Sequence, residues 1–283
     1  MLFTKMQGVG NDFVVIDAAT LPPDILLSNL TIRTCDRHFG IGADGLLVVS
    51  QNDTTAAFRM RMFNPDGTED MCGNGLRCVG LWAHQAGWLN GETEFAVATK
   101  EGMRQARLLE VSDDNRSAML GVDMGKPRFT PDELPFCAPD ESRIVGYPLM
   151  VDKETYPITV VNTGSTHTVI FCAAPPDEET FQRVSPQIEN HLFFPERTSV
   201  LWATPSGENC FQVRIWERGA GETLGCGTGA CAVGVAAQLE NRAGAVVEVT
   251  SKGGTLRIAW PNANAAIDMV GPAQIVYDGD FTI

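Results

Sequence analysis

The chain has 283 residues, 44% hydrophobic and 20% charged, which are the proportions of a soluble globular protein long enough for two ordinary domains. Its formal charge of −14 argues against a nucleic-acid or anionic-membrane partner and fits a protein of the cytoplasm. MLFTKMQGVGNDFVVID at the N-terminus lacks the basic region and apolar core of a signal peptide, and no apolar run reaches the roughly 18–20 residues of a membrane helix, so neither is expected.

Taken in chain order, short β-branched and aromatic runs bounded by Gly, Pro, Asn and Asp predict strands. In the first half these are DFVVID (12–17), GLLVVS (45–50) and AAFRMRMFN (56–64). In the third, Phe58, Met60 and Met62 should face one way and Arg59 and Arg61 the other. A helix is expected from about Asn74 to Ala86, with Leu76, Val79, Gly80 and Ala83 as its apolar stripe and Gly87 as its stop. EFAVAT (94–99) and SAMLGVDM (117–124) follow as strands, and the Pro-rich stretch 123–143 reads as a linker. The second half predicts strands at 155–162, 167–172, 199–204 and 211–217. A helix apolar nearly all round, hence buried, is expected over about Thr228 to Leu239, then strands at 245–251, 255–260 and 265–271. Many strands and few helices give an α+β class with two domains. One spans 1–124 plus 272–283 and carries Cys72; the other spans 125–271 and carries Cys226. Each is expected to be a curved, mostly antiparallel sheet wrapped around a central helix.

The sequence contains eight cysteines, but no C-x-x-C and no H-x-x-x-H, so no metal site is expected. Cys35, Cys137, Cys172 and Cys210 read as small buried hydrophobes. Two others lie in a repeated motif: GTEDMCGNGLRCVGL (67–81) and GETLGCGTGACAVGV (221–235) share a constant offset of 154 residues. In each, C-G-x-G enters an apolar helix. One copy alone reads equally well as a tight turn; two copies, symmetric in the chain, favour chemistry. A helix start offers unpaired N–H groups and a positive dipole end, which stabilise a thiolate and bind an anion. There a cysteine pKa is expected to drop below its ordinary value. If the halves face each other, two such thiols flank one tetrahedral carbon. One takes a proton from one face while the other returns a proton to the opposite face, inverting the centre. Backbone N–H groups of Gly73, Asn74, Gly227 and Thr228 would hold the negative charge that develops on the adjoining carboxylate. No cofactor is expected, since GVGNDF (8–13) lacks the third glycine of the dinucleotide fingerprint.

At these residues the chain resembles the diaminopimelate epimerase family. The matching stretches are FTKMQGVGNDFVVID (3–17), DRHFGIGADGLLVV (36–49), FNPDGTEDMCGNGLRC (63–78), IENHLFFPERTSV (188–200) and WERGAGETLGCGTGACA (216–232). The resemblance implies two pseudo-symmetric domains of the epimerase fold, a homodimer, and cofactor-free interconversion of LL- and meso-diaminopimelate in lysine and peptidoglycan-precursor biosynthesis. Carried over by position, Cys72 and Cys226 would transfer the protons, assisted by His167 and Glu217. Asn11, Asn64 and Arg218 would bind polar groups of the small-molecule substrate, and Gly73-Asn74 and Gly227-Thr228 would cradle its reacting carboxylate. Two positions depart from the pattern. Ser165 and Ser199 stand where the family carries substrate-binding asparagines, and serine is shorter with one donor fewer. Two further readings therefore stay open: a racemase of another amino acid, such as histidine or another basic one, and a non-catalytic or redox-regulated binding protein.

Overall fold

The structure, a computed structural model, describes residues 1–51, 56–138 and 144–282. They form two compact units, Met1–Asp123 with Val270–Ile283, and Met124–Met269.

In the first unit, β1 (Leu2–Gly8) and β2 (Asn11–Asp17) make an antiparallel hairpin. Its turn residues Val9 and Gly10 have φ of 49° and 81°, the left-handed pair that a two-residue hairpin turn demands. A β-branched residue rarely accepts that conformation, so the turn holds strain immediately before Asn11. Helix α1 (Leu27–Cys35) leads to β3 (Gly45–Gln51), which runs parallel to β2. The next strand, β4 (Phe58–Phe63), returns antiparallel and picks up the two-residue β5 (Glu69–Asp70). Phe58, Met60 and Met62 are buried and Arg59 exposed, as the alternation predicts. After helix α2 (Gly73–Gln85), β6 (Glu94–Thr99) lies parallel to β4, and β7 (Gly102–Val111) and β8 (Ser117–Asp123) continue antiparallel. The sheet presses closely on α2. A Cβ on Gly80 would lie 2.7 Å from Leu120 Cδ2 and 3.0 Å from Phe95 Cζ, so a larger residue there would displace packed side chains.

The second unit repeats this sequence of pairings. The hairpin β9 (Tyr147–Val151) to β10 (Glu154–Asn162) precedes β11 (Thr166–Phe171), antiparallel to β10. Helix α3 (Glu178–Glu189) crosses over to β12 (Ser199–Gly207), parallel to β11; β13 (Cys210–Glu217) and β14 (Gly221–Thr223) follow antiparallel. Past helix α4 (Gly227–Leu239), β15 (Val246–Ser251) is parallel to β13 and β16 (Gly254–Ala259) antiparallel to β15. The last strand, β17 (Asp268–Asp280), rejoins the first unit from Val270 on and pairs antiparallel with β1. Every residue from Gly229 to Ala237 of α4 is buried, and buried Val233 and Val235 contribute about 1.5–3 kcal/mol each. A Cβ on Gly234 would lie 2.8 Å from Ile258 Cγ2, the same close approach as at Gly80.

The α+β class and the two motif-borne helices are found as expected; α1, α3 and strands β1, β5, β7, β9 and β14 are additions. Residues 124–138 do not behave as a free linker. Phe129 stacks edge-on against Trp260 at 5.8 Å, and Phe136 contacts Tyr147, Phe193 and Phe194. Residues 139–143 of that stretch lie outside the described ones. Among the four cysteines expected to be buried, Cys35 is; Cys172 and Cys210 are half-buried, and Cys137 is exposed. Cys137 reaches the surface because its N–H is tied to Phe193 O in an irregular stretch while the neighbouring Phe136 takes the core position.

Candidate active site

The two repeated cysteines occupy the same structural position. Cys72 caps α2 with φ −139° and ψ 119°, and its Sγ accepts the Gly75 N–H at 3.5 Å. Cys226 caps α4 with φ −132° and ψ 115°, its Sγ accepting the Gly229 N–H at 3.3 Å. Sulfur thus fills the role that a Ser, Thr, Asp or Asn oxygen usually plays at a helix start. The second glycine of each motif is closely surrounded. A Cβ on Gly75 would lie 3.0 Å from Leu47 Cδ2, and one on Gly229 would lie 3.0 Å from Leu201 Cδ1 and 3.3 Å from Cys226 Sγ.

In the first unit the thiol faces amides. Asn11 Oδ1 accepts from Cys72 Sγ at 3.6 Å and from Asn74 Nδ2 at 3.2 Å, while Asn11 Nδ2 donates to Asp44 Oδ2 at 2.8 Å. Asn74 Oδ1 in turn accepts from Arg77 Nη2 at 2.9 Å, and Arg77 Nε donates to Pro272 O at 3.2 Å. Asp44 is braced by Arg37, which also pairs with Asp12. Burial would raise the Asp12 carboxyl, but hydrogen bonds and charge from Arg37 and Lys5 hold it down at about 2. A buried cation at one end and an ionic cluster at the other therefore fix which atom of Asn11 faces the sulfur and which atom of Asn74 faces Asn11. Asn64 is not drawn into this chain of bonds: it sits in the turn after β4, its amide donating to Thr68 Oγ1 at 3.1 Å.

In the second unit the surroundings are acid–base groups. His167 is fully buried, with Nδ1 2.7 Å from Ser165 O. A carbonyl only accepts, so Nδ1 carries the proton and Nε2 presents a lone pair. That lone pair faces Thr228 Oγ1 at 3.2 Å and Cys226 Sγ at 4.0 Å, and Thr228 Oγ1 lies 3.4 Å from the same sulfur. Thr163 braces the helix start by donating to Thr228 O at 2.8 Å. Glu217, held by the Thr223 hydroxyl, lies close enough to Cys226 to act on its charge. Arg218 is placed by its own N–H on Ser199 Oγ (3.1 Å) and by Nη1 on Glu196 O (2.9 Å). The Ser165 contribution to this cluster is its backbone carbonyl.

The expectation of a lowered thiol pKa does not hold at Cys226. Burial, reinforced by the Glu217 carboxylate, pushes this thiol well above its ordinary value; the Thr228 hydroxyl and Gly229 N–H pull downward and lose. His167 is pushed the other way, down to about 4, first by burial and further by the Arg218 charge, with the Ser165 carbonyl opposing. It is therefore neutral at physiological pH. Its folded value lies below the unfolded one near 6.5, so its contribution to stability is complete above pH 6.5 and is lost as pH falls toward 4. Chemical-denaturation midpoints measured at pH 7 and pH 4.5 should differ clearly in the wild type, and His167→Gln should remove much of that difference.

Arg77, Asp44, Thr163 and Thr223 complete these clusters without having been read from the sequence. Arg77 left one trace, a charged residue beside the apolar stripe of α2. Among the described residues no three His, Cys, Asp or Glu side chains gather as a metal site, and no helix is long and apolar enough to cross a membrane.

Comparison with known proteins places this chain in a family. The sequence model described as diaminopimelate epimerase matches residues 3–130 and 159–276. The diaminopimelate epimerase of Desulfovibrio desulfuricans is 41% identical over 287 residues, covering 99% of this chain and 98% of its own. That of Moorella thermoacetica is 41% identical over 290 residues, with both chains fully covered. Among solved structures, a phenazine biosynthesis protein of the PhzF family from Bacillus anthracis superposes with a TM-score of 0.71 at 18% identity, covering 100% of this chain and 99% of its own. A hydroxyproline epimerase from Agrobacterium vitis gives 0.69 at 13% identity, with coverages of 99% and 90%. At such identities the two structures share the fold alone.

Proposed function

Because the chain belongs to the diaminopimelate epimerase family, we propose that it interconverts LL- and meso-diaminopimelate by moving protons between two thiols. The observation that carries this reading is the matched pair of helix-capping sulfurs, each beside a different set of polar groups. The thiolate of Cys72 takes the proton from one face of the α-carbon. Cys226, which burial and Glu217 keep protonated, gives its proton to the opposite face and becomes the thiolate. The reverse reaction starts from that state. One proton is taken and one given, so the substrate leaves with its centre inverted and its composition unchanged. During the transfer the α-carboxylate gains enediolate character, and the N–H groups of Gly73, Asn74, Gly227 and Thr228 stabilise it. His167 Nε2, Thr228 Oγ1 and Glu217 handle the charge at Cys226. Asn11, Asn64 and Arg218 bind the substrate's polar groups, with Ser165 and Ser199 at the distal end. The enzyme works in the cytoplasm as a homodimer and uses no cofactor.

The same chemistry on another amino acid is the second reading, drawn from Ser165 and Ser199. The Ser199 hydroxyl accepts the Arg218 backbone N–H and so helps present Arg218, whose guanidinium suits a distal carboxylate. That favours diaminopimelate over a basic amino acid. Incubation with LL-diaminopimelate in D₂O under reductant should yield the meso isomer with deuterium at the inverted α-carbon, read by NMR and chiral chromatography. Parallel incubations with histidine, lysine, arginine and glutamate should show no wash-in. Exchange into one of those and none into diaminopimelate would transfer the assignment to the second reading.

A further inference from the structure

We infer that Glu189 is a positioning residue: its buried carboxylate holds the Trp216–Gly219 segment so that Glu217 stays beside Cys226 and Arg218 stays presented. This inference rests on the proton-transfer reading of that site.

Glu189 ends α3 and its side chain is only 7% exposed. Oε1 accepts the Gly219 N–H at 2.8 Å and Arg197 Nη1 at 3.1 Å; Oε2 accepts the Trp216 indole N–H at 2.7 Å. The Glu189 backbone carbonyl also takes the Thr198 N–H at 3.2 Å. Trp216 and Gly219 bracket Glu217 and Arg218, so this one carboxylate grips the segment on both sides of the two site residues. From Glu217 to Ala220, across the second grip, the chain makes a tight turn closed by Ala220 N–H on Glu217 O at 3.0 Å, with Gly219 at φ 78°. A turn of this kind leaves the N–H of its third residue pointing away from the turn's own hydrogen bond, and Glu189 supplies the partner for it. Trp216 is further set by an edge-on contact with Phe181 of α3 at 5.9 Å.

All three side-chain contacts bring donors to Glu189, which an ionised carboxylate matches with acceptor sites only. A buried carboxylate is expensive to keep, and an apolar residue of similar size would pack at lower cost. What the apolar residue lacks is a fixed two-sided grip on a turn that carries a charged side chain toward a thiol. Loosening that grip moves Glu217 away from Cys226 and admits water. Both changes lower the thiol pKa, because both relieve the influences that raise it.

The experiment measures alkylation of Cys226 by iodoacetamide against pH, read by mass spectrometry of the peptide, in wild type, Glu189→Gln and Trp216→Phe. The groups facing the sulfur are Glu217 from β13, His167 from β11, and Thr228 with the Gly229 N–H from α4. Glutamine keeps the shape of Glu189 but turns an NH₂ against one of the donors; Trp216→Phe removes one donor and keeps the ring packing. The alkylation midpoint should fall by about half a pH unit or more in Glu189→Gln and by less, in the same direction, in Trp216→Phe. The turnover number should fall about tenfold or more in Glu189→Gln. A folded Glu189→Gln protein with the wild-type midpoint overturns the inference. If that variant does not fold, an unshifted midpoint in Trp216→Phe overturns it. Failure of wild-type enzyme to exchange deuterium would remove the reaction assigned above, yet the midpoints would still decide whether Glu189 governs the surroundings of Cys226.

Discussion

Cys226→Ala is expected to abolish inversion, with a loss of at least about 10⁴-fold in turnover, and Cys72→Ala should do the same. On the proposed mechanism each thiol serves one face of the carbon, so neither can substitute for the other. With one sulfur gone, the remaining one can return a proton only to the face from which it took it. Deuterium from D₂O then enters the α-carbon slowly and without a change of configuration, which chiral chromatography separates from true inversion. The loss should not come from unfolding. Each substitution removes a helix cap, worth about 1 kcal/mol, and trims a small side chain at a helix start. Thermal melts of both variants should therefore stay cooperative. Inversion at the wild-type rate in either variant would end the two-base assignment, and a collapse of the melt would call for the serine variants, which restore an oxygen cap.

The parts of this site that sequence exposes are those whose signals are local. The Cys-Gly-x-Gly repeat at a constant spacing, the two helices that follow it, and the alternation of Phe58 to Met62 all act within a few residues. Helix α1 lacks such a signal: its first residue follows Leu26, which makes no side-chain cap, and its interior carries Asn29, Thr31 and Thr34, which are indifferent helix formers. Helix α3 has a good start signal, with Asp177 capping the Thr180 N–H and Glu178 and Glu179 in the first turn. Pro186 inside it reads as a breaker, and that masks the start. The thiol of Cys226 shows a deeper limit. Its helix-start position and glycines point to a lowered pKa, and the Gly229 N–H does pull that way; the larger influence is burial in the folded protein. Glu189, Arg77 and Asp44 are likewise invisible locally. The bonds that join Glu189 to Gly219, Arg77 to Pro272 and Asp44 to Asn11 span 30, 195 and 33 residues, so those parts of their roles exist only once the chain has folded.

Arg77→Ala is expected to cost about 3–5 kcal/mol of stability, the largest effect predicted outside the two cysteines. The side chain is completely buried. Its guanidinium donates to Pro272 O on β17 and to Asn74 Oδ1 within the C-G-x-G motif, so truncation leaves two acceptors without their donor and a void the length of an arginine. The first unit is shaped around this group: a Cβ on Gly8 would lie only 3.2 Å from Arg77 Nη2 and 3.3 Å from Pro272 O. The effect should also reach the chemistry. Asn74 loses the bond that orients its amide, Asn11 loses a fixed donor in Asn74 Nδ2, and Cys72 loses a fixed acceptor in Asn11 Oδ1. Displacement of that order at a reacting atom lowers turnover by roughly 10–100-fold. Arg77→Lys separates the two effects. A lysine keeps the charge in place and recovers part of the stability, but a single ammonium on a flexible stem cannot reproduce the planar fork that bonds Pro272 and Asn74 together. It should therefore melt closer to wild type than Arg77→Ala while remaining slow. Equal turnover in Arg77→Lys and wild type would mean that the charge alone matters, and that the amides beside Cys72 keep their orientation without help from the fork.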